Sequence, residues 1–254
     1  MINLKKNYIE KINNLDFFAF KTKKFLDKDL YEIVNKDFPL TSDNKLSQYY
    51  KDLNKGKFYF TSDDKLYKEL KNKYQSMKLI EKVIMNKSFF NFYFYTLFFE
   101  YLKSADLKQF IKLFRIPLYV DKINKTNLIN FIFNQITIRI EYSYMVEGAF
   151  LRPHTDNKKK LLSLMIYFPD ETVNIKQQEE FGTVFYVNDD INIKNKHRDD
   201  VESFKKNSKY IYKSKYKKNL LVGFVGGTKS WHSVDPIKLD KSYVRRSINI
   251  NFFR

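Results

Sequence analysis

The sequence of 254 residues contains no cysteine, only six glycines and five prolines, and no long uninterrupted apolar run. The absence of cysteine excludes a disulfide framework and a thiolate metal site, but it is compatible with a metal held by nitrogen and oxygen ligands. The most aromatic stretch, SFFNFYFYTLFFEYL, is too short to span a bilayer and contains Asn91 and Glu100. The first residues, MINLKKNYIEKINN, lack the apolar core of a secretion signal. We therefore expect a cytoplasmic protein without a membrane partner.

The sequence has few acidic residues relative to basic ones. It contains 29 acidic and 47 basic residues, and its formal net charge is +18. Only seven of the basic residues are arginines, and Asn, Ile, Phe and Tyr are abundant, as A/T-rich codons would produce. The lysines are scattered along the chain and are not interleaved with aromatic residues in one patch. The charge alone therefore does not predict a nucleic-acid partner. A content of 43% hydrophobic and 18% aromatic residues predicts a packed core and argues against disorder.

The first half, residues 1–133, is predicted to be mainly helical and to brace the outside of a sheet. Leu66, Leu70 and Tyr74 are spaced by four behind a capping segment at 62–64, which is typical of a helix. Further expected elements are an early strand at 16–20, a short helix after the loop that begins at Phe38, a helix over 88–102 and a helix over 106–114 that ends before Pro117.

In the second half, residues 134–254, the pattern changes to short strands separated by turn signals. Residues 135–142 alternate polar and apolar side chains, and LLSLMIYF, TVFYV, LLVGFV and VRRSININFF follow. This succession predicts an antiparallel sandwich or barrel. A charged insert at 188–218 interrupts it, and we interpret its His197 as a solvated loop histidine. In the functional interpretation, this insert is a lid over the site.

Two of the three histidines stand beside strand-like runs, and one of them belongs to an H-x-D pair. His154 and Asp156, two positions apart on an extended backbone, project to the same side. His232 on a neighbouring strand would complete three ligands on one face of a metal. That donor set is the 2-His-1-carboxylate triad of non-haem Fe(II) oxygenases. A lone H-x-D pair is common by chance, so the interpretation depends on what surrounds it.

The last strand supplies a candidate carboxylate clamp. An arginine fork binds a carboxylate through two hydrogen bonds, and Ser247 adds a hydroxyl two positions after Arg245. Alternation predicts that the polar face contains Arg245, Ser247, Asn249 and Asn251, and that the other face contains Val244, Arg246, Ile248, Ile250 and Phe252. This favours Arg245 as the clamp and leaves Arg246 as the reserve candidate.

From about Gln135 onward the sequence resembles the Fe(II)/2-oxoglutarate-dependent oxygenases, and among them the prolyl-4-hydroxylase-like members. The resemblance is carried by Y-x-x-x-G-x-F-x-x-P-H-x-D between Tyr144 and Asp156, then S-L-M-I-Y-F, F-G-T-V-F-Y, W-H-S-V-x-P and R-x-S-I-N. It implies an α+β fold in one domain, 1–254, with a double-stranded β-helix (jelly-roll, cupin-like) core over 134–254 braced by the mainly helical part.

The resemblance also implies roles for particular residues. His154, Asp156 and His232 would hold Fe(II), and Arg245 with Ser247 would bind the distal carboxylate of 2-oxoglutarate. The hydroxyl groups of Tyr144 and Tyr167 would lie against that cosubstrate.

The implied reaction consumes O2 and 2-oxoglutarate, releases succinate and CO2, and hydroxylates an unactivated C–H bond of a small molecule or peptide side chain. Ascorbate would be a supporting reductant. Related halogenases replace the carboxylate ligand by a small residue, so Asp156 favours hydroxylation.

Two other functions stay open at this point. A nucleic-acid demethylase of the same superfamily would suit the basic charge, but those enzymes usually end in R-x-N-x-x-x-R. Here Ser247, two positions after Arg245, stands where that motif has asparagine, and no arginine stands at its last position. A non-catalytic jelly-roll binding module would not need the complete set of ligands and clamp.

Overall fold

Helices predominate before residue 105 and strands after residue 132 in the structure, a computed structural model that describes residues 9–51, 57–104, 115–123, 133–170, 174–188, 204, 206–238 and 243–254. The helices are α1 Lys28–Lys36, α2 Asn44–Lys51, α3 Lys65–Lys73, α4 Gln75–Ile84, α5 Lys87–Thr96, α6 Phe98–Ser104 and α7 Ile175–Gln178, which continues as a 3-10 turn, Glu179–Phe181. The strands are β1 Glu10–Ile12, β2 Ala19–Lys23, β3 Lys57–Thr61, β4 Ile116–Tyr119, β5 Phe133–Val146, β6 Leu151–His154, β7 Lys160–Tyr167, β8 Thr183–Asn188, β9 Ser208–Lys213, β10 Leu220–Val225, β11 His232–Val234 and β12 Val244–Phe253. No helix within these ranges is long and apolar enough to cross a membrane.

The strands form two sheets. The major sheet has the order β1-β2-β10-β7-β12-β5-β3, with β4 added parallel to β5. The minor sheet has the order β6-β11-β8-β9, and apart from β4 with β5 all described pairings are antiparallel. The long pair of β5 and β12 runs from Val146 opposite Val244 to Thr137 opposite Phe253. Side chains from both of these strands line the candidate site described below.

Each face of the major sheet covers a separate core. On one face the helices pack, and Phe252 of β12 stacks there against Phe90 of α5 with ring centroids 6.0 Å apart. The other face packs against the minor sheet through residues such as Tyr167, Phe185 and Phe224. Alternation along the strands thus separates an apolar helical side from an inter-sheet side that also contains polar residues.

The expected α+β class is confirmed, but the first half does more than brace the sheet. Strands β2 and β3 extend the major sheet on either side, beside β10 and β5 respectively. The expected helix over 88–102 is divided into α5 and α6 at Leu97. Asp64 is the N-cap of α3, but its carboxylate accepts hydrogen bonds from the N–H and hydroxyl of Thr61 and not from the helix. The helix expected over 106–114 lies outside the described residues.

The charged insert is not a loop throughout, which corrects the sequence interpretation. Its last part forms β9, which pairs with β8 from Asn188 opposite Ser208 to Val184 opposite Lys213. Phe204 is fully buried, with its ring centroid 4.8 Å from that of Trp231. Aromatic contacts with β8 hold this part, because the Phe204 ring centroid lies 5.4 Å from that of Tyr186 and the Tyr212 ring stacks on Phe185 at 6.5 Å. His197 and the rest of 189–203 lie outside the described residues, so a lid there stays a prediction.

Candidate metal centre

The pairing of β6 with β11 places two histidines side by side. His154 is the last residue of β6, His232 is the first residue of β11, and the two are register partners with ring centroids 4.3 Å apart. Asp156 follows two residues after His154. One ligand atom from each of the three lies within 4.8 Å of the others. The structure therefore brings together the three residues that the sequence analysis assigned to the metal.

Backbone carbonyl groups orient both imidazole rings. Nδ1 of His154 lies 2.8 Å from the carbonyl oxygen of Arg152, and Nδ1 of His232 lies 2.9 Å from that of Ser230. A carbonyl oxygen can only accept a hydrogen bond, so each Nδ1 carries the proton and donates it. In the neutral form of each ring, Nε2 keeps its lone pair for a metal, as in the outer-shell arrangement of metal-binding histidines.

Asp156 is held by two neighbours that start the next strand. The Lys160 ammonium lies 3.0 Å from Oδ1, and the Ser163 hydroxyl donates to Oδ2 at 2.6 Å. Burial raises the pKa of the Asp156 carboxyl, but Lys160, His232 and the Ser163 hydrogen bond outweigh it and hold this pKa below its usual range. The carboxyl group is therefore ionised, as a metal ligand must be.

His232 lies in an apolar environment. Its ring centroid is 4.4 Å from that of Phe224, and only 7% of the residue is exposed. Burial, reinforced by the neighbouring His154, lowers the pKa of His232 to about 3. The imidazole is consequently neutral near pH 7. Two imidazole nitrogens and one carboxylate oxygen are a donor set that fits a divalent first-row metal such as Fe(II).

A cavity between the two sheets, which we call the inner pocket, leads from the three ligands to Arg245. Its wall includes His154, Asp156 and His232 from the minor-sheet side and Ser163 and Arg245 from the major sheet. Asn251 pairs with Ser163 at one end of β12, while Arg245 lies near the other end of the same strand. The metal ligands and the candidate clamp therefore line one continuous space.

Arg245 is a buried cation without an anionic partner among the described residues. It is only 3% exposed, and its Nε–H donates to the carbonyl oxygen of Phe181 at 2.7 Å. The guanidinium carbon lies 5.2 Å and 5.0 Å from the ring centroids of Tyr167 and Tyr216. A guanidinium stays charged, and a buried charge lacking a counter-ion is costly. This end of the inner pocket is therefore suited to an anion.

The neighbouring Arg246 points to the opposite face of β12. Its guanidinium donates to the carbonyl oxygen of Phe168 and to Asn35, and it lies 5.2 Å from the ring centroid of Phe38. The choice of Arg245 over Arg246 from strand alternation agrees with this placement. Ser247 and Asn249 also line the inner pocket, and the Ser247 hydroxyl donates to Oδ1 of Asn249 at 3.2 Å.

The two candidate tyrosines differ in position. Tyr167 faces the minor sheet, and its hydroxyl lies 2.8 Å from Oγ1 of Thr183 and 3.0 Å from Oγ of Ser214, behind Arg245. Neither tyrosine lines the inner pocket, and the expected contact of the Tyr167 hydroxyl with the cosubstrate stays a prediction. Tyr144 belongs to the helical-side core, and its hydroxyl donates to the carbonyl oxygen of Pro39 at 3.0 Å. The expected role of Tyr144 is thus corrected, because alternation along β5 sends it to the other face.

The sequence analysis missed a group of charged and polar residues beside the triad. Lys160 and Ser163 hold Asp156, and Lys57 from β3 pairs with Glu141, which also accepts from Nδ2 of Asn249 at 2.7 Å. Ser163 could have been found, because it interrupts the apolar run of β7 on the face it shares with Met165 and Tyr167. Lys57 and Lys160 had no sequence signal that distinguished them from the many other lysines.

The structure is thus a two-sheet, mainly antiparallel protein in which a 2-His-1-carboxylate set and a buried arginine line one pocket. No protein-family model and no curated protein match this chain. Among solved structures, a Pseudomonas putida prolyl-4-hydroxylase is 14% identical, with 93% of this chain and 92% of that chain covered at a TM-score of 0.48. A Phytophthora capsici prolyl 4-hydroxylase is 11% identical (92% and 58% covered, TM-score 0.45). A Trichoplax adhaerens prolyl hydroxylase, in complex with a peptide fragment of a hypoxia inducible factor, is 12% identical (92% and 83% covered, TM-score 0.42).

Proposed function

We propose that this protein is an Fe(II)- and 2-oxoglutarate-dependent dioxygenase. It hydroxylates an unactivated C–H bond of a peptide side chain or a small molecule, and it converts 2-oxoglutarate and O2 to succinate and CO2. Its two facing sheets then correspond to a double-stranded β-helix, with the first half as the brace. We also propose that the protein is cytoplasmic, as the sequence analysis predicts.

The observation that carries the proposal is the joint presence of three preorganised ligands and one uncompensated buried cation in the inner pocket. A metal site alone would fit many proteins. The buried Arg245 guanidinium also favours an anionic ligand, and it lies in the same pocket as His154, Asp156 and His232. A dicarboxylate that reaches both the metal and the arginine satisfies both features, and 2-oxoglutarate is such a molecule.

The residues of the chain divide the work between ligation and positioning. Bound Fe(II), with 2-oxoglutarate and O2, supplies the oxidising chemistry, which couples decarboxylation of the 2-oxo acid to hydroxylation of the substrate. His154, Asp156 and His232 would hold the metal through two imidazole nitrogens and one carboxylate oxygen. Arg245 and Ser247 bind the distal carboxylate of the cosubstrate, while Tyr167 holds Thr183 and faces the guanidinium. Phe224, packed against His232, keeps water away from that imidazole.

The test is anaerobic titration of the Fe(II)-loaded protein with 2-oxoglutarate, followed by succinate measurement after O2 is admitted. Binding to the metal is expected to produce a visible metal-to-ligand charge-transfer band, and succinate should form with or without added ascorbate. Succinate formation separates an enzyme from a non-catalytic jelly-roll binding module. If neither the band nor succinate forms in protein that retains Fe(II), the proposal is wrong.

A further inference from the structure

A second cavity, which we call the outer cleft, meets the inner pocket beside the metal ligands. It has a volume of about 580 Å³, and ligand sites have volumes of roughly 300–1,000 Å³. We call the residues that line both cavities the junction: Lys57, Glu141, Leu151, His154, Asp156, Lys160 and Asn251. Arg245 lines the inner pocket and not the outer cleft. A substrate that reaches the metal ligands from the outer cleft therefore passes the junction.

Asn251 is a buried amide side chain that has no hydrogen-bond partner in the part of the chain that the structure describes. Only 3% of the residue is exposed. Its neighbours across the strands are engaged elsewhere, because Ser163 on β7 donates to Asp156 and Arg139 on β5 pairs with Asp63 at 2.6 Å. A buried amide that makes no hydrogen bond destabilises a fold. The carboxamide of Asn251 can therefore offer its C=O acceptor and its N–H donors to a ligand.

Glu141 offers a second acceptor at the junction. Its Oε1 accepts hydrogen bonds from the Lys57 ammonium and, at 2.7 Å, from Nδ2 of Asn249, whereas Oε2 accepts none from the described residues. Asn249 is the register partner of Glu141, so Asn251, two positions further along β12, is its diagonal neighbour on the same face. Side chains at such diagonal positions are close enough to share a contact. One ligand group can therefore bind to both Asn251 and Glu141.

The charged side chains of the junction are paired with each other. Lys57 pairs with Glu141, and Lys160 pairs with Asp156 at 3.0 Å. A charged ligand group would compete with one of these pairs, whereas an uncharged group leaves both intact. The hydrogen-bonding groups that remain are the amide of Asn251 and one carboxylate oxygen. An amide of the ligand matches them, because it has a C=O acceptor and N–H donors of its own.

We propose that Asn251 and Oε2 of Glu141 bind an uncharged amide group of the primary substrate, next to the carbon that is oxidised. This inference rests on the proposed function and specifies its substrate class as amides, which include peptides. The N–H of Asn251 donates to the ligand carbonyl oxygen, and the ligand N–H donates to Oδ1 of Asn251 or to Oε2 of Glu141. Because His154 and Asp156 belong to the same junction, an amide held there brings its neighbouring carbon to the metal ligands.

The test uses the full chain and three matched pools of probes with the same aliphatic and aromatic acyl groups: carboxamides, methyl esters and carboxylates. The esters keep the carbonyl oxygen but lack the N–H donors, and the carboxylates add a negative charge. Saturation-transfer NMR on metal-free protein is expected to show that the carboxamides bind about tenfold more tightly than the esters, as the loss of a hydrogen bond at a buried site would give. The carboxylates should also bind more weakly than the carboxamides, because Glu141 repels them. Succinate release by the Fe(II)-loaded protein with 2-oxoglutarate, measured above the probe-free rate, should follow the same order.

Asn251→Leu keeps the approximate size of the side chain and removes its hydrogen-bonding groups, so it is expected to abolish the preference for carboxamides over esters. Asn251→Asp keeps the shape more closely and loses the N–H donors, so it should weaken carboxamide binding too, and it replaces the leucine variant if that variant does not fold. Asn72→Leu is the control, because Asn72 is exposed on α3, and it should retain the preference.

Equal binding of carboxamides and esters, no binding of carboxamides, tighter binding of the carboxylates, or a preference that survives Asn251→Leu would overturn the inference. The ratio between the pools separates a ligand contact from a structural role, because a general loss of stability would weaken all pools alike. The charge-transfer band and the probe-free succinate rate report on the proposed function, and NMR of the metal-free protein reports on the junction. The two can therefore fail separately.

Discussion

At the scale of single residues, Arg245 and Arg246 show how one position along a strand separates two roles. Arg245 enters the inner pocket and has no described anionic partner, whereas Arg246 stacks on Phe38 and binds Asn35 on the helical side. Chemically identical side chains therefore have different expected functions, because successive residues of β12 face opposite sides of the sheet.

We expect Arg245→Ala to weaken 2-oxoglutarate binding by roughly 30-fold or more. Removal of one partner from a buried charged pair typically costs about 2–5 kcal/mol, and each ~1.4 kcal/mol is tenfold in affinity. The measurement is titration of the Fe(II)-loaded variant through its charge-transfer band, with the iron content unchanged. Arg246→Ala is the control, which should lower the melting temperature and leave cosubstrate affinity as it was. If Arg246→Ala is the damaging change, the clamp has been assigned to the wrong face of β12.

His154→Ala is expected to abolish both iron retention and turnover, because two ligands cannot replace three on one face of the metal. The check is the iron content of protein loaded anaerobically and then desalted. His197→Ala is the matched control, since the sequence predicts a solvated loop position there, and it should keep one Fe(II) per chain. An unchanged iron content in His154→Ala would refute the assignment of the triad.

At the scale of elements, short strands do the positioning. β6 and β11 are four and three residues long, yet their pairing puts His154 opposite His232. The turn after β6 is closed by the Lys160 N–H, which donates to the carbonyl oxygen of Asn157 at 2.8 Å. This turn brings Lys160 and Ser163 to Asp156. The centre therefore depends on two strand ends and one turn, which larger neighbouring strands hold in place.

The charged insert offers a test at the same scale. Deletion of residues 191–200 is expected to raise the substrate KM and to leave uncoupled 2-oxoglutarate turnover largely intact, if this part is a lid. A deletion extended through Phe204 should instead destabilise the protein, because Phe204 packs against Trp231 beside His232. Phe204→Ala is the matched point variant, and loss of a buried ring typically costs about 3–5 kcal/mol. Steady-state kinetics and urea unfolding distinguish these outcomes, and unfolding of the shorter deletion would show that the segment is structural.

At the scale of the whole molecule, a buried ion pair joins the first half of the chain to the second. Lys57 on β3 pairs with Glu141 on β5, and their side chains are 20% and 11% exposed. Burial raises the pKa of Glu141, but Lys57, Lys160 and Asn249 outweigh it, so this pKa is lowered from the ordinary 4.5. The ionised form is therefore favoured by folding, and it ties the edge strand to the centre of the sheet.

The pH dependence of unfolding should report this pair. A carboxyl whose pKa is lowered by folding stabilises the protein above its unfolded pKa, and the contribution is lost as the pH falls through the folded value. Near pH 7, Glu141→Gln is expected to lower the free energy of unfolding by about 1–3 kcal/mol, because Lys57 loses its partner. Below about pH 4.5 the difference from the unaltered protein should shrink. Urea unfolding of metal-free protein checks this, with Glu69→Gln as the exposed control that changes little. A difference independent of pH would contradict the argument.

Much of the site could be read from the sequence because its residues are close together in strands. Side chains alternate along a strand with a period of two. This period alone predicts that His154 and Asp156 share a face and that Arg245 and Arg246 do not, so the triad and the choice of Arg245 could be predicted from the sequence. Tyr144 was misplaced although the same period applies. Ile136, Ile138, Ile140 and Tyr142 share its face and belong to the helical-side core. For Tyr144 the motif resemblance and the alternation of β5 predict opposite faces of the sheet, and the structure agrees with the alternation.

The sequence by itself determined the residue types at the centre, the strand character of 134–254 and the side of β12 on which each arginine lies. Local periodicity and short motifs contain that information, since neighbouring residues in a strand have fixed relative directions. Only the tertiary structure decided that Lys57, more than eighty residues before Glu141, pairs with it, and that β9 completes the minor sheet. Contacts between distant segments depend on how sheets pack and which strands become neighbours. Among forty lysines, no local pattern marks Lys57 and Lys160 as residues that lie beside the metal centre.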